Sequence, residues 1–338
     1  MIRNFIIQLF LATLLSWVAV GIEAFSQEAG QQETAINLTF DDSAARYVLE
    51  NPAGALIEKR DSIWNNFEGY RITLVWHKES SFPFTWDIWN RGLNRFLKDS
   101  SMIGKTLELA DSLKSKAMRE RNSIARLIAS YLGSDKTIDA YVYFVAFTTP
   151  YAFCVEENKI GIDITGDEWG FDTDCILNMT IHEIYHVGYR ANSSDLNSLE
   201  GDPTDEKSFI RFCYAYLQSE GMATYVGYKA LNLYPSDYRH DDYRLLEDST
   251  RVLKAIGQIG KLLRDAGTNP IDSMNQKAWD VGVTDRAFYI AGAYMAKAIE
   301  EKCGTKYLAD LVQKGGFQFA KEYNKIASGD YKVILKEL

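Results

Sequence analysis

Two histidines and a glutamate stand close together at His182-Glu183-Ile184-Tyr185-His186, in a chain with four histidines in all. Residues four apart lie on one face of a helix, so both imidazoles can reach a single metal ion. Glu183 is then rotated to the side of that ion, where its carboxylate can take a proton from a water molecule. The pattern predicts a zinc site that activates water for hydrolysis. The alternative is a helix that carries two surface histidines by chance.

Glu220 is the candidate for the third protein ligand that a catalytic zinc ion usually has. It lies in a segment whose apolar residues repeat with a helical period, and it falls on the apolar side of that helix. Burying an unpaired carboxylate is unfavourable, and a metal ion would remove that cost. The alternative is an ion pair between Glu220 and a buried arginine, Arg190 or Arg211.

Tyr289 is a second candidate for the chemistry. It is followed by small residues at Gly292 and Ala293, which permit close packing against a neighbouring helix. Its phenol could donate a hydrogen bond to the oxygen that becomes negative during hydrolysis. Alternatively Tyr289 is an ordinary core tyrosine and His240 takes that role. The remaining histidine, His77, has no supporting context.

Together these segments resemble the gluzincin metallopeptidases. The resemblance rests on His182-Glu183-x-x-His186, Glu220-Gly221-x-Ala223-x-Tyr225 and Tyr289-x-x-Gly292-Ala293. It spans about residues 137–312, and it is strongest with exported bacterial proteins described as zinc-dependent peptidases and distant with the zinc aminopeptidases. It implies that Glu220 is the third zinc ligand and that Tyr289 stabilises the tetrahedral intermediate. It also implies one Zn²⁺ per chain, a peptide or protein substrate, and a strand along the substrate cleft.

The sequence departs from the zinc aminopeptidases at two places. The interval between His186 and Glu220 is longer, and the excess falls in the acidic segment 191–205. Those enzymes recognise a free N-terminus with a Gly-x-Met-Glu-Asn segment, whereas the corresponding strand here reads Lys-Ile-Gly-Ile-Asp at residues 159–163. Endopeptidase, carboxypeptidase and aminopeptidase activities therefore all remain open.

The elements that must position these residues follow from periodicity. The pattern predicts helices over 44–56, 87–97 and 105–132, strands over 138–147, 151–155 and 159–164, and helices over 174–189, 206–233, 243–266 and 284–302, with two short helices to the end. The predicted fold class is α+β, a small mixed sheet followed by a mainly helical body. Residues 43–136 are predicted to form a helical N-terminal part, and residues 137–338 the catalytic domain.

The N-terminus predicts export. An apolar run over residues 5–22 follows Arg3, and Ala24 and Ser26 give the small-residue pattern of a cleavage site. Residues 1–26 are therefore predicted to be a signal peptide, with a periplasmic or extracellular mature protein and a flexible leader over residues 27–42. A retained membrane anchor is the weaker alternative, and stable membrane insertion is not expected after removal of the signal.

Composition limits the function classes. Apolar residues are 46% and charged residues 25% of the chain, as in an ordinary globular protein. The net charge of -9 is spread along the chain without a basic patch, so nucleic acid is not an expected partner. The four cysteines are widely spaced and form no Cys-x-x-Cys pair, which leaves free thiols and three disulfide pairings open.

Three functions remain after these observations. The first is hydrolysis of peptides by a site with one zinc ion, the second is a catalytically silent binding protein with the gluzincin fold, and the third is a helical accessory protein with a chance motif. The presence of Glu183 favours hydrolysis, because binding a metal alone does not need that carboxylate. The sequence does not indicate an oligomeric state.

Overall fold

The first element of the described chain is a strand of a small mixed sheet. The computed structural model describes residues 35–56, 60–80, 84–133, 136–148, 150–166, 170–195, 199, 201–236 and 241–337. The strands of this part are β1 (Ala35–Asp41), β2 (Thr137–Val145), β3 (Ala152–Val155) and β4 (Lys159–Asp163). They lie in the order β1-β2-β4-β3. β1, β2 and β4 are parallel, and β3 is antiparallel to β4 and forms an edge of the described sheet.

β1 contradicts part of the predicted flexible leader, which is wrong for residues 35–41. Ile36, Leu38 and Phe40 are buried and alternate with exposed residues, as in a strand with one buried face. β1 pairs with β2, which follows only after a long helical stretch, and a pairing over that distance leaves no signal in the local composition. The predicted signal peptide, residues 1–26, lies outside the described residues.

Helices fill the chain between β1 and β2. They are α1 (Ser43–Glu50), α2 (Pro52–Leu56), α3 (Arg60–Asn66), α4 (Glu68–Glu79), α5 (Trp86–Lys98) and α6 (Ser100–Ala129). The predicted helix over 44–56 is divided, because Pro52 suits the first position of a new helix and not the interior of an old one. No individual helix is predicted at α3 and α4, which lie within the predicted helical N-terminal part.

Helices also dominate the chain after the sheet. They are α7 (Thr173–Asn192), α8 (Glu206–Ala230), α9 (Asp241–Leu245), α10 (Ser249–Asp265), α11 (Ile271–Ala278), α12 (Ala287–Cys303), α13 (Thr305–Lys314) and α14 (Gly316–Ile326), with a π-helix at Trp279–Thr284 and a 3₁₀ turn at Gly329–Tyr331. The predicted α+β fold class is confirmed. Within the described residues, no helix is long and apolar enough to cross a membrane. The division of the chain at residue 136 stays a prediction.

Helices cover both faces of the sheet. Side chains of consecutive strand residues point to opposite faces, so Phe153 and Cys154 of β3 face different layers. The ring of Phe153 packs against Trp76 of α4. The thiol of Cys154 contacts Glu183 of α7 on the other face. β3 therefore runs beside the helix that carries the histidine motif.

α8 and α12 cross in direct backbone contact. A side chain at Gly221 of α8 would lie against the backbone of Gly292 in α12, and a Cβ at Gly292 would overlap the carbonyl oxygen of Leu217. Glycine is required at both positions because only a hydrogen atom fits between the helices. Glu220 precedes Gly221, and Tyr289 lies one turn before Gly292, so this contact fixes the distance between two candidate site residues.

The helix crossing gives a stability prediction. We expect Gly292→Ala to lower the free energy of unfolding by about 3 kcal/mol or more, because the obstructing atoms are backbone atoms that no rotamer change can move. Gly257→Ala is the matched control, since no atom lies within 4 Å of the position that a methyl group would take at this glycine of α10. That control should be stabilising by about 0.5–1 kcal/mol. Urea unfolding measures both, and equal effects would contradict the packing argument.

Candidate metal centre

The histidine motif lies in the interior of α7. Asp172 caps this helix, accepting hydrogen bonds from the backbone N–H groups of Asp174 at 2.8 Å and Cys175 at 3.3 Å. Its carboxylate also suits the positive end of the helix dipole. One turn apart on the buried side, the Nε2 atoms of His182 and His186 lie 3.1 Å from each other. The helical spacing therefore brings both imidazoles to one point.

The third group of the cluster comes from α8. Asp205 and Ser208 begin this helix with a capping box, in which each side chain bonds to the backbone of the other residue. Unbroken helix then carries Glu220 to the motif. Its Oε2 lies 3.3 Å from Nε2 of His186 and 3.7 Å from Nε2 of His182. The possible ligand atoms of these three residues, one from each, all lie within 4.8 Å of one another.

The donor set fits zinc. Two imidazole nitrogens and one carboxylate oxygen are a common protein ligand set for a catalytic zinc ion, which leaves one position open. Among the described residues, neither Arg190 nor Arg211 pairs with Glu220. Arg211 is exposed, and Arg190 donates to the carbonyl oxygen of Glu156 at 3.2 Å. The Glu220 side chain is 14% exposed and lies within 4 Å of two imidazoles, and neither of the two arginines considered from the sequence pairs with it.

The cluster holds an ionised carboxylate between two imidazoles. Burial lowers the pKa of His182, which keeps its imidazole neutral. Burial also opposes the charged form of His186, but the negative charge of Glu220 outweighs it and raises the pKa of His186. In Glu220 itself burial raises the pKa, and the two imidazoles more than offset this and hold that pKa well below its ordinary value. The carboxylate therefore stays ionised.

Glu183 lies beside the cluster without belonging to it. Its side chain is buried, and its Oε2 is 3.2 Å from Sγ of Cys154 on β3. Burial and the neighbouring Glu183 carboxylate raise the pKa of the Cys154 thiol, so this thiol is a hydrogen-bond donor to Glu183. All four cysteines lie within the described residues, and each is a free thiol.

Ser219 orients one histidine and was not among the predicted site residues. Its Oγ lies 3.1 Å from Nδ1 of His186, the ring nitrogen that faces away from the cluster. A hydrogen bond at that nitrogen fixes the orientation of the ring and the nitrogen that carries its proton. The one sequence signal for this role is that Ser219 directly precedes Glu220.

Tyr289 reaches the cluster from α12. Its ring is nearly parallel to that of His182, with 6.3 Å between the ring centroids and 10° between the planes. Burial, followed by the nearby charge of Glu220, raises the pKa of the Tyr289 phenol well above its ordinary value, so its hydroxyl keeps its proton. The structure also places Arg286 over this ring and Asp242 against Arg286, and no sequence pattern drew attention to either.

All these groups line one cavity of about 1100 Å³. Its walls include β3 at Ala152–Cys154, the buried faces of α7 and α8, and the start of α12. Of the two other histidines, His77 is buried against Trp76 and Phe84 and does not line the cavity. His240 lies outside the described residues.

A comparison with protein families supports the resemblance. The model of the family described as "Putative zinc dependent peptidase (DUF5700)" matches residues 92–331. The chain belongs to this family. The match contains every predicted site residue, and it confirms the resemblance to the zinc-dependent peptidases. No curated protein and no solved structure matches the chain.

The ligand cluster leads to a prediction for removal of the Glu220 carboxylate. We expect Glu220→Gln to weaken zinc binding more than a hundredfold, since altering a residue that merely orients a ligand costs about 10- to 100-fold. Competition with a chromophoric chelator measures the affinity. Glu301→Gln, at an exposed position of α12, is the control and should bind zinc as the unaltered chain does. Unchanged affinity in the Glu220 variant would remove this residue from the ligand set.

Proposed function

We propose that this protein hydrolyses peptide bonds with one zinc ion, which His182, His186 and Glu220 hold, and with Glu183 as the general base. The observation that carries the proposal is the meeting of two imidazoles and a carboxylate with a second, separate carboxylate in one cavity. Membership of a family described as zinc dependent peptidases supports the same reading. Bound zinc supplies positive charge that lowers the pKa of a water molecule and polarises a carbonyl group.

Glu183 is suited to move protons. Its carboxylate lines the cavity beside the cluster, and the Cys154 thiol holds one of its oxygens. The carboxylate accepts a proton from the water that attacks the carbonyl carbon, and then delivers a proton to the leaving amine nitrogen. Water is thereby divided between the two products, a carboxylic acid and an amine.

Tyr289 is suited to stabilise the negative charge that develops on the attacked carbonyl oxygen. The phenol keeps its proton, so the hydroxyl is available as a hydrogen-bond donor. A donor that is already in place when the charge appears contributes most to the rate, because no reorganisation is needed at that moment. The proximity of the ring to His182 supports this assignment.

The edge strand β3 is suited to bind an extended peptide. Its residues Ala152, Phe153 and Cys154 line the cavity, and in the described chain its backbone pairs with β4 alone. An extended substrate can add to such an edge through main-chain hydrogen bonds. We therefore propose a peptide or protein substrate. The acidic net charge of the chain supports the absence of a nucleic-acid partner.

We further propose that the chain is exported after cleavage of residues 1–26. The apolar run that follows Arg3, together with the small residues Ala24 and Ser26, supports this proposal. Three of the four free thiols are at least partly buried, which shields them from oxidation outside the cytoplasm, whereas Cys303 at the end of α12 is exposed.

The proposal is tested first at Glu183. We expect Glu183→Gln to keep zinc and to lower kcat by about 10²- to 10⁴-fold, because an amide cannot accept the proton from water. Metal analysis and steady-state hydrolysis of a peptide that the unaltered protein cleaves measure the two quantities. Glu157→Gln, at an exposed turn position, should change neither. Full turnover in the Glu183 variant would rule out its role as the base.

The second test concerns the hydroxyl of Tyr289. We expect Tyr289→Phe to lower kcat by about 10²- to 10³-fold with little change in KM, since the hydroxyl acts only in the transition state. Tyr323→Phe is the control for a purely structural loss, because this buried hydroxyl donates to the carbonyl oxygen of Tyr331 at 2.8 Å. A core role for Tyr289 would give the pattern of the control, with a lower Tm and normal kcat.

A further inference from the structure

Two unusual backbone conformations precede Tyr289. The π-helix Trp279–Thr284 follows α11, and after Asp285 comes Arg286 with φ 63° and ψ 23°. π-helical turns are rare and occur frequently at functional sites. A left-handed conformation is unfavourable for a residue with a side chain such as arginine. Among the described non-glycine residues with positive φ, Arg286 alone lines the cavity.

The π-helix is packed tightly against the first turn of α12. A Cβ at Gly282 would overlap the ring of Phe288, so glycine is required there. Phe288 is fully buried. The path of the backbone from the π-helix to Arg286 is therefore held by the core, and this path directs the Arg286 side chain to the cavity.

Arg286 lies against the face of the Tyr289 ring. Its guanidinium carbon is 3.2 Å from the ring centroid. The guanidinium also donates to Asp242 of α9, with Nη2 at 2.5 Å from Oδ2 and Nε at 3.2 Å from Oδ1. Asp242 is 2% exposed, whereas the side chain of Arg286 is 31% exposed, so the carboxylate of this ion pair is shielded from water. The buried carboxylate fixes the guanidinium, and the guanidinium in turn fixes the ring.

The hydroxyl of Tyr289 has no such anchor. Within the described residues it makes no hydrogen bond, whereas the buried hydroxyls of Tyr70, Tyr185 and Tyr323 each donate to a backbone carbonyl. A hydroxyl that must serve a substrate cannot also be bound to the protein, so its ring has to be held through its faces. The contacts with Arg286 and with the parallel ring of His182 meet this requirement.

We propose that Arg286 is a positioning residue, which Asp242 holds over the Tyr289 ring so that the hydroxyl stays directed at the carbonyl group under attack. The inference rests on the proposed function, because it assigns Arg286 a role in the same reaction. Arg286 acts through Tyr289 and does not itself touch the substrate.

A double-mutant cycle tests whether Arg286 acts through Tyr289. We expect Arg286→Gln to lower kcat about three- to thirtyfold with little change in KM, the range that a cation–π contact supports. With Tyr289→Phe already present, Arg286→Gln should cause no further loss, because the hydroxyl that it positions is gone. Equal losses with and without the Tyr289 hydroxyl would overturn the proposal.

Two further variants make the cycle decisive. Arg286→Lys retains a cation for Asp242, so it tests the same point if Arg286→Gln does not fold. Lysine cannot stack a planar group on the ring. The kcat should therefore again fall only when the Tyr289 hydroxyl is present. Arg60→Gln is the matched control, since Arg60 lies over the Trp86 ring with its guanidinium carbon 4.0 Å from the centroid. Loss of that stack, which lies away from the cavity, should leave kcat unchanged.

A measurement without substrate separates this inference from the proposed function. 3,5-Difluorophenylalanine at position 289 keeps the ring and gives two ¹⁹F resonances when ring flips are slow, and one when they are fast. We expect two resonances with Arg286 in place and one with Arg286→Gln, in both metal-free and zinc-loaded protein. A single resonance with Arg286 in place would overturn the proposal. If the zinc-loaded protein cleaves no peptide, the proposed function fails, and the ¹⁹F spectra still decide whether Arg286 holds the ring.

Discussion

The structure of the site depends on burying the carboxylate of Glu220 beside two imidazoles. A carboxylate in an apolar interior is unfavourable unless charges or donors compensate it, so His182 and His186 must lie within a few ångströms. They come from a different helix, and the two helices have to be held at a fixed distance. The backbone contact between Gly221 and Gly292 joins α8 to the helix of Tyr289 in the same region. Electrostatics thus constrains α7 relative to α8, and packing constrains α8 relative to α12, so a shift of α8 would disturb both.

In the proposed mechanism, Glu220 binds the cation and Glu183 moves protons. Glu220 is held ionised by the imidazoles, so its negative charge is available to a metal ion and its pKa is too low for proton transfer near neutral pH. Glu183 belongs to α7, like the histidines, but its side chain contacts Cys154 on the sheet and not the ligand cluster. Two glutamates of one cavity therefore have different neighbours, which supports the different roles proposed for them. The second glutamate is what distinguishes the arrangement from a site that only binds metal.

The parts of the site that depend on a single helix could be predicted from the sequence. The spacing of His182 and His186 is a property of one helix, and the burial of Glu220 follows from the apolar face on which it lies. The α+β class follows from the change of period near residue 137. β1, with Ile36, Leu38 and Phe40, could not be predicted, because it forms a strand only by pairing with β2, which is distant in the sequence. Ser219 and Asp242 were missed for the same reason, since each is an ordinary polar residue until the fold brings it to His186 or Arg286.

The π-helix and Arg286 show a further limit of local patterns. A helical period predicts where an ordinary helix continues, and it has no means of predicting an extra residue per turn or a left-handed arginine. Both conformations are unfavourable on their own, so contacts made elsewhere in the fold have to stabilise them. The ring of Phe288 against Gly282 and the carboxylate of Asp242 against Arg286 provide those contacts. These buried contacts stabilise the unusual segment from Trp279 to Arg286. In the proposal above, this segment positions Tyr289 of the candidate site.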